Sequence, residues 1–135
     1  MQKGQTIWDP LRKRTVALTP EEQVRQWFIT VLAGEMAVPM HMMMSEVPIS
    51  CQGKCWRADI LVYDRRQKPL AVVECKRPEV EIGADVLEQA VRYNMVLDVR
   101  LIILTNGRST VMVSRGKKGV SILERVPSYE EMMEL

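Results

Sequence analysis

A chain of 135 residues, 47% hydrophobic and 27% charged, has the size and composition of one ordinary globular domain. A net charge of +2 does not by itself mark a nucleic-acid binder. There is no apolar run of membrane-spanning length, and "MQKGQTIWDPLRKRT" lacks the hydrophobic stretch of a signal peptide, so the expectation is a cytoplasmic protein with no membrane partner.

Residues 1–18 are polar and basic without a sustained period and are expected to form an arm or an added edge segment. "TPEE" then opens a helix over about 20–34, with Thr19 at the N-cap, Pro20 at the first helical position and Glu22 where a capping box places its acid. Val24, Trp27, Phe28, Val31 and Leu32 follow at helical spacing and predict the buried stripe. "AVPMHMMM" is a methionine-rich connection suited to adaptable packing, and His41, the only histidine, reads as structural. Cys51, Cys55 and Cys75 are an odd number without disulfide-scaffold density, so they are expected to be reduced; Cys51, Cys55 and His41 lack a fourth convincing ligand for a metal.

From Glu46 the pattern shortens to "EVPISC", "WRADILVYD" and "PLAVVECK", separated by turns at "QGK" and "RRQK", which predicts three antiparallel strands. Gly83 to about Leu97 is helical, with Val86, Leu87, Ala90, Val91, Asn94 and Leu97 along one side. "VRLIILT" reads as a strand buried on both faces, "NGR" as a turn, "TVMVS" as a strand and "RGKKG" as an exposed basic loop. Ser128 with Glu131 forms a second capping box before a short C-terminal helix at 127–135. No internal repeat divides the chain, which is read as a single domain.

Charge is unevenly placed. Residues 51–78 carry seven Lys/Arg against three Asp/Glu, whereas 79–106 carry two against five. Within the basic stretch, two carboxylates interrupt apolar runs: Asp59 in "ADILVY" and Glu74 in "LAVVE". A hairpin centred between Arg66 and Gln67 pairs Tyr63 with Leu70, Leu61 with Val72, Asp59 with Glu74 and Arg57 with Lys76 on one face; Ala58 with Cys75, Ile60 with Val73 and Val62 with Ala71 occupy the other. Directly opposed residues sit about 4.5–5.5 Å apart at Cβ, where like charges destabilise a sheet, so Asp59 facing Glu74 needs an offset. Arg57 and Lys76 supply part of it. Two readings fit: a structural ion-pair cluster, or converging carboxylates that form a hard-oxygen site for Mg²⁺.

"VALTPEEQVRQWFI", "RADILVYD", "VVECKRP", "QAVRYN" and "LTNG" in this order resemble the PD-(D/E)XK nuclease superfamily, and more narrowly the N-terminal nuclease domain of type I restriction enzyme R subunits in a free-standing short form, over roughly residues 5–115. The resemblance implies an α/β (α+β) restriction-endonuclease-like core in the order α-β-β-β-α-β, a mixed central sheet flanked by helices. It implies Mg²⁺, with Mn²⁺ able to substitute, held by Asp59, Glu74 and the main-chain carbonyl of Cys75. Lys76 would orient or help activate the attacking water, and Gln89 and Tyr93 match the family's Gln-x3-Tyr element. Glu22 matches an acid that reaches the metal through water, and Glu46 matches another frequent acid with no role of its own.

DNA is the expected partner, with Arg57, Arg77, Lys117 and Lys118 available for backbone phosphates. The chain contains no Gly-x4-Gly-Lys-Ser/Thr, so ATP-driven translocation would either come from other restriction-system subunits in trans or be absent. The expected activity is Mg²⁺-dependent hydrolysis of DNA phosphodiester bonds. The alternative is a non-catalytic nucleic-acid-binding or assembly module that retains the fold.

Overall fold

The computed structural model describes residues 4–116 and 119–135. Two short strands, β1 (Thr6–Asp9) and β2 (Arg14–Ala17), pair only with each other. Helix α1 (Pro20–Ala33) follows, then β3 (Met43–Cys51), β4 (Lys54–Tyr63), β5 (Pro69–Cys75), α2 (Ala84–Asn94), β6 (Leu101–Thr105), β7 (Thr110–Gly116), β8 (Gly119–Ile122) and α3 (Tyr129–Met133). Strands β3 to β8 form one sheet in chain order. Every neighbouring pair is antiparallel except β5 and β6, which are parallel because α2 makes the crossover between them. The expected α-β-β-β-α-β succession is present, and the fold is restriction-endonuclease-like.

Local chemistry sets the helix ends. The Thr19 hydroxyl accepts the Glu22 amide at 3.1 Å, and Pro20 begins the helix where a missing N–H costs nothing. The box is only half made at α1, because the Glu22 carboxylate turns to other partners. At α3 both halves form, between Ser128 and Glu131. Tyr129 fastens α3 to the body, its amide donating to Met36 O and its hydroxyl to Tyr63 O, both at 2.7 Å.

The core has two sides. On one, Val24, Phe28, Ile29 and Leu32 of α1 pack with Tyr129 and Met132 on Ile60, Val62, Val73, Leu101 and Ile103. On the other, Leu87 and Val91 of α2 pack on Ala58, Leu61, Val72 and Ile102. Strand β6 is buried along its whole length, as its unbroken apolar run predicts.

Several expectations are corrected. The predicted α1 stripe is rotated: Trp27 is 43% exposed, while Arg25 and Glu22 are 5% and 6% exposed, because acids and bases from other segments neutralise them. β3 begins at Met43, earlier than Glu46, and the helix before β6 ends at Asn94, with Leu97 in a 3₁₀ turn. β8 was not foreseen. The arm is a hairpin of its own. Tyr63 pairs with Pro69, not Leu70, because the Asp64 carboxylate accepts the Arg66 and Lys68 amides and fixes a loop that leaves one residue over on β5. No helix among the described residues is long and apolar enough to cross a membrane.

The rotated stripe has a measurable consequence. Leu32→Ala, at a fully buried position, is expected to lower unfolding free energy by about 3 kcal/mol in urea titration, and Trp27→Ala by under about 1 kcal/mol. The reverse order would restore the stripe inferred from sequence.

Candidate active site

The site forms where β4 and β5 part. Their ladder keeps the expected register at Val62 with Ala71, Leu61 with Val72 and Ile60 with Val73, and ends there. Beyond it the Cys75 amide donates to Asp59 Oδ2 at 2.7 Å, so a side-chain carboxylate stands where a strand carbonyl would. β5 stays attached on its other edge, with Glu74 opposite Leu104, Cys75 opposite Thr105 and the Lys76 amide on Thr105 O at 2.8 Å. The turn after β6 holds the next segment: the Asn106 side chain accepts the Arg108 and Ser109 amides and donates to Val80 O at 2.8 Å.

β3 is distorted opposite the same point of β4. Between the pairs Ser45 with Ile60 and Val47 with Ala58, Glu46 takes a φ of 54°, in the left-handed region. Ala58 therefore joins the α2-side cluster while Ile60 and Val62 join the α1 side, contrary to the single face expected for all three. The expected ladder pairs of Asp59 with Glu74 and Arg57 with Lys76 are absent from the paired register.

Asp59 is turned to α1. Its Oδ1 accepts from the buried Arg25 at 3.1 Å, and Arg25 also meets Glu46 Oε1 at 2.7 Å and Glu22 Oε1 at 3.2 Å. Arg12, from the segment between β1 and β2, pairs with Asp9, with Glu22 at 2.7 Å and with Glu46 at 3.8 Å. Gln26 donates to Glu22 Oε2 at 2.9 Å, so Glu22, expected near a metal through water, already has partners on both oxygens. Three guanidiniums, those of Arg12, Arg25 and the exposed Arg57 at 3.9 Å from Glu46, thus serve four carboxylates, an excess of negative charge around Asp59.

Burial is the largest influence on Asp59 and raises its pKa to about 6, against the Cys75 amide and Arg25, which lower it; the charges of Glu21 and Glu74 add to the rise. Burial also pushes the Cys75 thiol well up, which removes a thiolate nucleophile from consideration.

Glu74 and Lys76 line a groove between the sheet and α2, a cavity of about 570 Å³ shared with Arg57, Trp56, Gln89 and Tyr93. Lys76 makes no ion pair among the described residues. Of the expected site residues, the groove therefore gathers Glu74, Lys76, Gln89, Tyr93 and Arg57, while Asp59 is not part of its lining and is turned to α1, though close enough to feel the Glu74 charge. Arg77 is outside the groove lining and pairs with Glu79 at 3.5 Å. Lys117 and Lys118 lie outside the described residues. No group of three or more His, Cys, Asp or Glu among the described residues is placed to hold a metal, so a cation here would draw on two carboxylates and a main-chain oxygen.

Sequence reasoning missed Arg25, Glu21 and Trp56. Arg25 gave a usable signal, a base three residues after Glu22 among the apolar residues of α1.

Comparison with known proteins agrees with this fold. Residues 20–127 match the family described as type I restriction enzyme R protein N terminus. Among solved structures, a fragment of a protein provisionally described as an HsdR subunit of a type I restriction enzyme from Vibrio vulnificus YJ016 superposes with a TM-score of 0.64 at 21% identity, over 87% of this chain. The chain spans 25% of that protein's length. A protein provisionally described as a nuclease belonging to DUF820, from Anabaena variabilis ATCC 29413, superposes with a TM-score of 0.54 at 9% identity, over 99% of this chain and 87% of that one. At these identities the likeness is one of fold. No curated protein matches.

Two measurements probe the network. Because the folded-state pKa of Asp59 is raised, its contribution to stability is full below its unfolded value of about 3.8 and is lost as pH rises through about 6. The wild type is expected to lose on the order of 2 kcal/mol between roughly pH 4 and 7 relative to Asp59→Asn, read from denaturation midpoints across pH. Parallel profiles for the two proteins would show that Asp59 is not so buried. Arg25→Met, which strands Asp59 and Glu22 without their shared cation, is expected to cost about 3–5 kcal/mol in the same assay at pH 7.

Proposed function

Because this chain belongs to the type I restriction enzyme R protein N-terminal family, we propose that it is a Mg²⁺-dependent nuclease domain of the PD-(D/E)XK type that hydrolyses DNA phosphodiester bonds. The observation that carries the reading is the groove itself. Glu74 and Lys76 share it with Gln89 and Tyr93, and the amide of Cys75, between the first two, is held by the Asp59 carboxylate.

The donor set suits Mg²⁺, which takes hard oxygen ligands and commonly uses one or two carboxylates with waters and substrate phosphates. Asp59, Glu74 and the Cys75 carbonyl would hold it, and the uncompensated negative charge around Asp59 favours a divalent cation. Bound there, the ion would polarise the phosphoryl oxygen and lower the pKa of a coordinated water. The remaining steps belong to the chain's own groups. Lys76, without a carboxylate partner among the described residues, places its ammonium beside the attacked phosphate and stabilises the charge that grows on it. Arg57, 72% exposed at its side chain, holds a neighbouring phosphate without reading sequence. Gln89 positions the substrate from α2 by a neutral amide that can both donate and accept.

One observation favours a second reading, a binding or assembly module without chemistry: Arg25 occupies Asp59 Oδ1 and turns it toward α1. Incubation with supercoiled circular DNA and Mg²⁺ or Mn²⁺ separates the two. The wild type is expected to nick the circle, and Lys76→Ala or Glu74→Gln to slow nicking by about a hundredfold. Calorimetric titration is expected to show weak Mg²⁺ binding that disappears in Asp59→Ala. Metal-independent DNA binding with no cleavage and no Mg²⁺ heat would establish the second reading instead.

A further inference from the structure

Trp56, at the aromatic end of the groove, has no part in the hydrolysis just described, and Tyr93 takes no chemical step in it. Trp56 of β4 and Tyr93 of α2 face each other there with ring centroids 5.9 Å apart and planes inclined at 56°. Rings at that angle are not stacked on one another, so each keeps a face for a further partner. Tyr93 is 42% exposed although it is large and partly apolar. The Trp56 indole N–H has no hydrogen-bond acceptor among the described residues, whereas a tryptophan retained for structure usually places that N–H on one. The same two rings, with Lys54 and Gln89, also wall a second cavity of about 480 Å³, which Asp85, Glu88 and Arg92 line as well. Both volumes fall within the roughly 300–1,000 Å³ of small-molecule sites.

Charge identifies the occupant. On the Glu74 side the groove carries Lys54, Arg57 and Lys76 against the single acid Glu74, which suits a phosphate-bearing chain. Aromatic faces set among cations are the combination that receives the bases of a single strand, because a base stacked within a duplex has no face to offer.

We propose that Trp56 and Tyr93 form a platform for an unpaired nucleobase, so that the groove takes a single-stranded or frayed stretch of DNA next to Glu74 and Lys76. This rests on the reading of the groove as a DNA site and adds the strand state of the substrate. Each phosphate is held by a cation without regard to sequence, while the base-dependent part of the affinity comes from the rings. The platform is sequence-tolerant, since every base presents a π face.

The test uses the whole chain in EDTA, where no cleavage complicates binding. In a Trp8→Phe, Trp27→Phe background Trp56 is the only tryptophan, excited selectively over the three tyrosines at long wavelength. Its emission is expected to be quenched saturably by an eight-nucleotide oligothymidylate, weakly by an abasic oligonucleotide of the same length, and weakly by a blunt duplex. Trp56→Leu is expected to weaken oligothymidylate binding about tenfold, measured by anisotropy of a labelled strand, with abasic binding unchanged. Tyr93→Leu, on the exposed side of α2, gives the same comparison if Trp56→Leu does not fold. Equal affinity for the abasic and base-bearing strands, or for the blunt duplex, would overturn the platform. Base-dependent binding without any Mg²⁺-dependent nicking would keep the platform and overturn the nuclease. Nicking that depends on Lys76 without base-dependent binding would do the reverse.

Discussion

The structure turns on one substitution of hydrogen-bond acceptor: the Cys75 amide leaves the β4 ladder and takes the Asp59 carboxylate. A sheet that carried Asp59 and Glu74 as a regular cross-strand pair would set two like charges face to face. Parting the strands removes that opposition and still satisfies the buried amide. It also changes the side on which residues before Asp59 emerge, so Trp56 and Ala58 lie under α2 while Ile60 and Val62 lie under α1. The groove and the ladder's end are thus two aspects of one irregularity. β6 makes it tolerable, because the parallel pairing holds Glu74 and Cys75 in place after β4 has withdrawn.

The buried ion cluster follows from the same event. Arg25 shares its guanidinium among Asp59, Glu46 and Glu22, and Arg12 reaches two of the same acids from the segment between β1 and β2. Burying such charges costs desolvation, so the cluster is weak evidence for stability; well-packed apolar residues would often serve as well. Its effect is positional. It ties the N-terminal hairpin, α1 and the distorted turn of β3 at Glu46 to the carboxylate that fills the gap. The hairpin therefore bears on the site although it shares no ladder with the main sheet.

What the sequence disclosed, and what it hid, divides by range. Thr19 and Ser128 announced their helix ends because a cap is settled within three residues. Leu61 opposite Val72 was legible because alternation and a short loop fix register locally. Of the groove residues, Glu74 and Lys76 were legible as charges set at the end of an apolar run, and Gln89 and Tyr93 only through the family resemblance. The rotated face of α1 was not. A helical wheel weighs Trp27 above Arg25 by hydrophobicity, and only partners from β3 and β4 make the arginine the buried one. The bulge at Tyr63 depends on which amides the Asp64 side chain accepts, and β8 is too short and exposed to leave a pattern. Trp56 was hidden by the flip at Asp59, since strict alternation assigns it to the face of Ile60.

Fold likeness fixes less than the groove does. Folds of this kind are scaffolds on which activity depends on particular side chains, and identities of 21% and 9% carry architecture alone. The weight therefore falls on the contrast between the two ends of the groove. At one end Glu74 and Lys76 remain unpaired with each other, although a lysine two residues along the chain could have been spent on neutralising that acid. At the other end an aromatic pair is left partly open to water, although two rings of that size could have been buried against the sheet. A surface shaped only for folding would close both gaps. Left open on the same side of the sheet and within one cavity, they offer an anionic, base-bearing chain a charge to meet and a face to lie on.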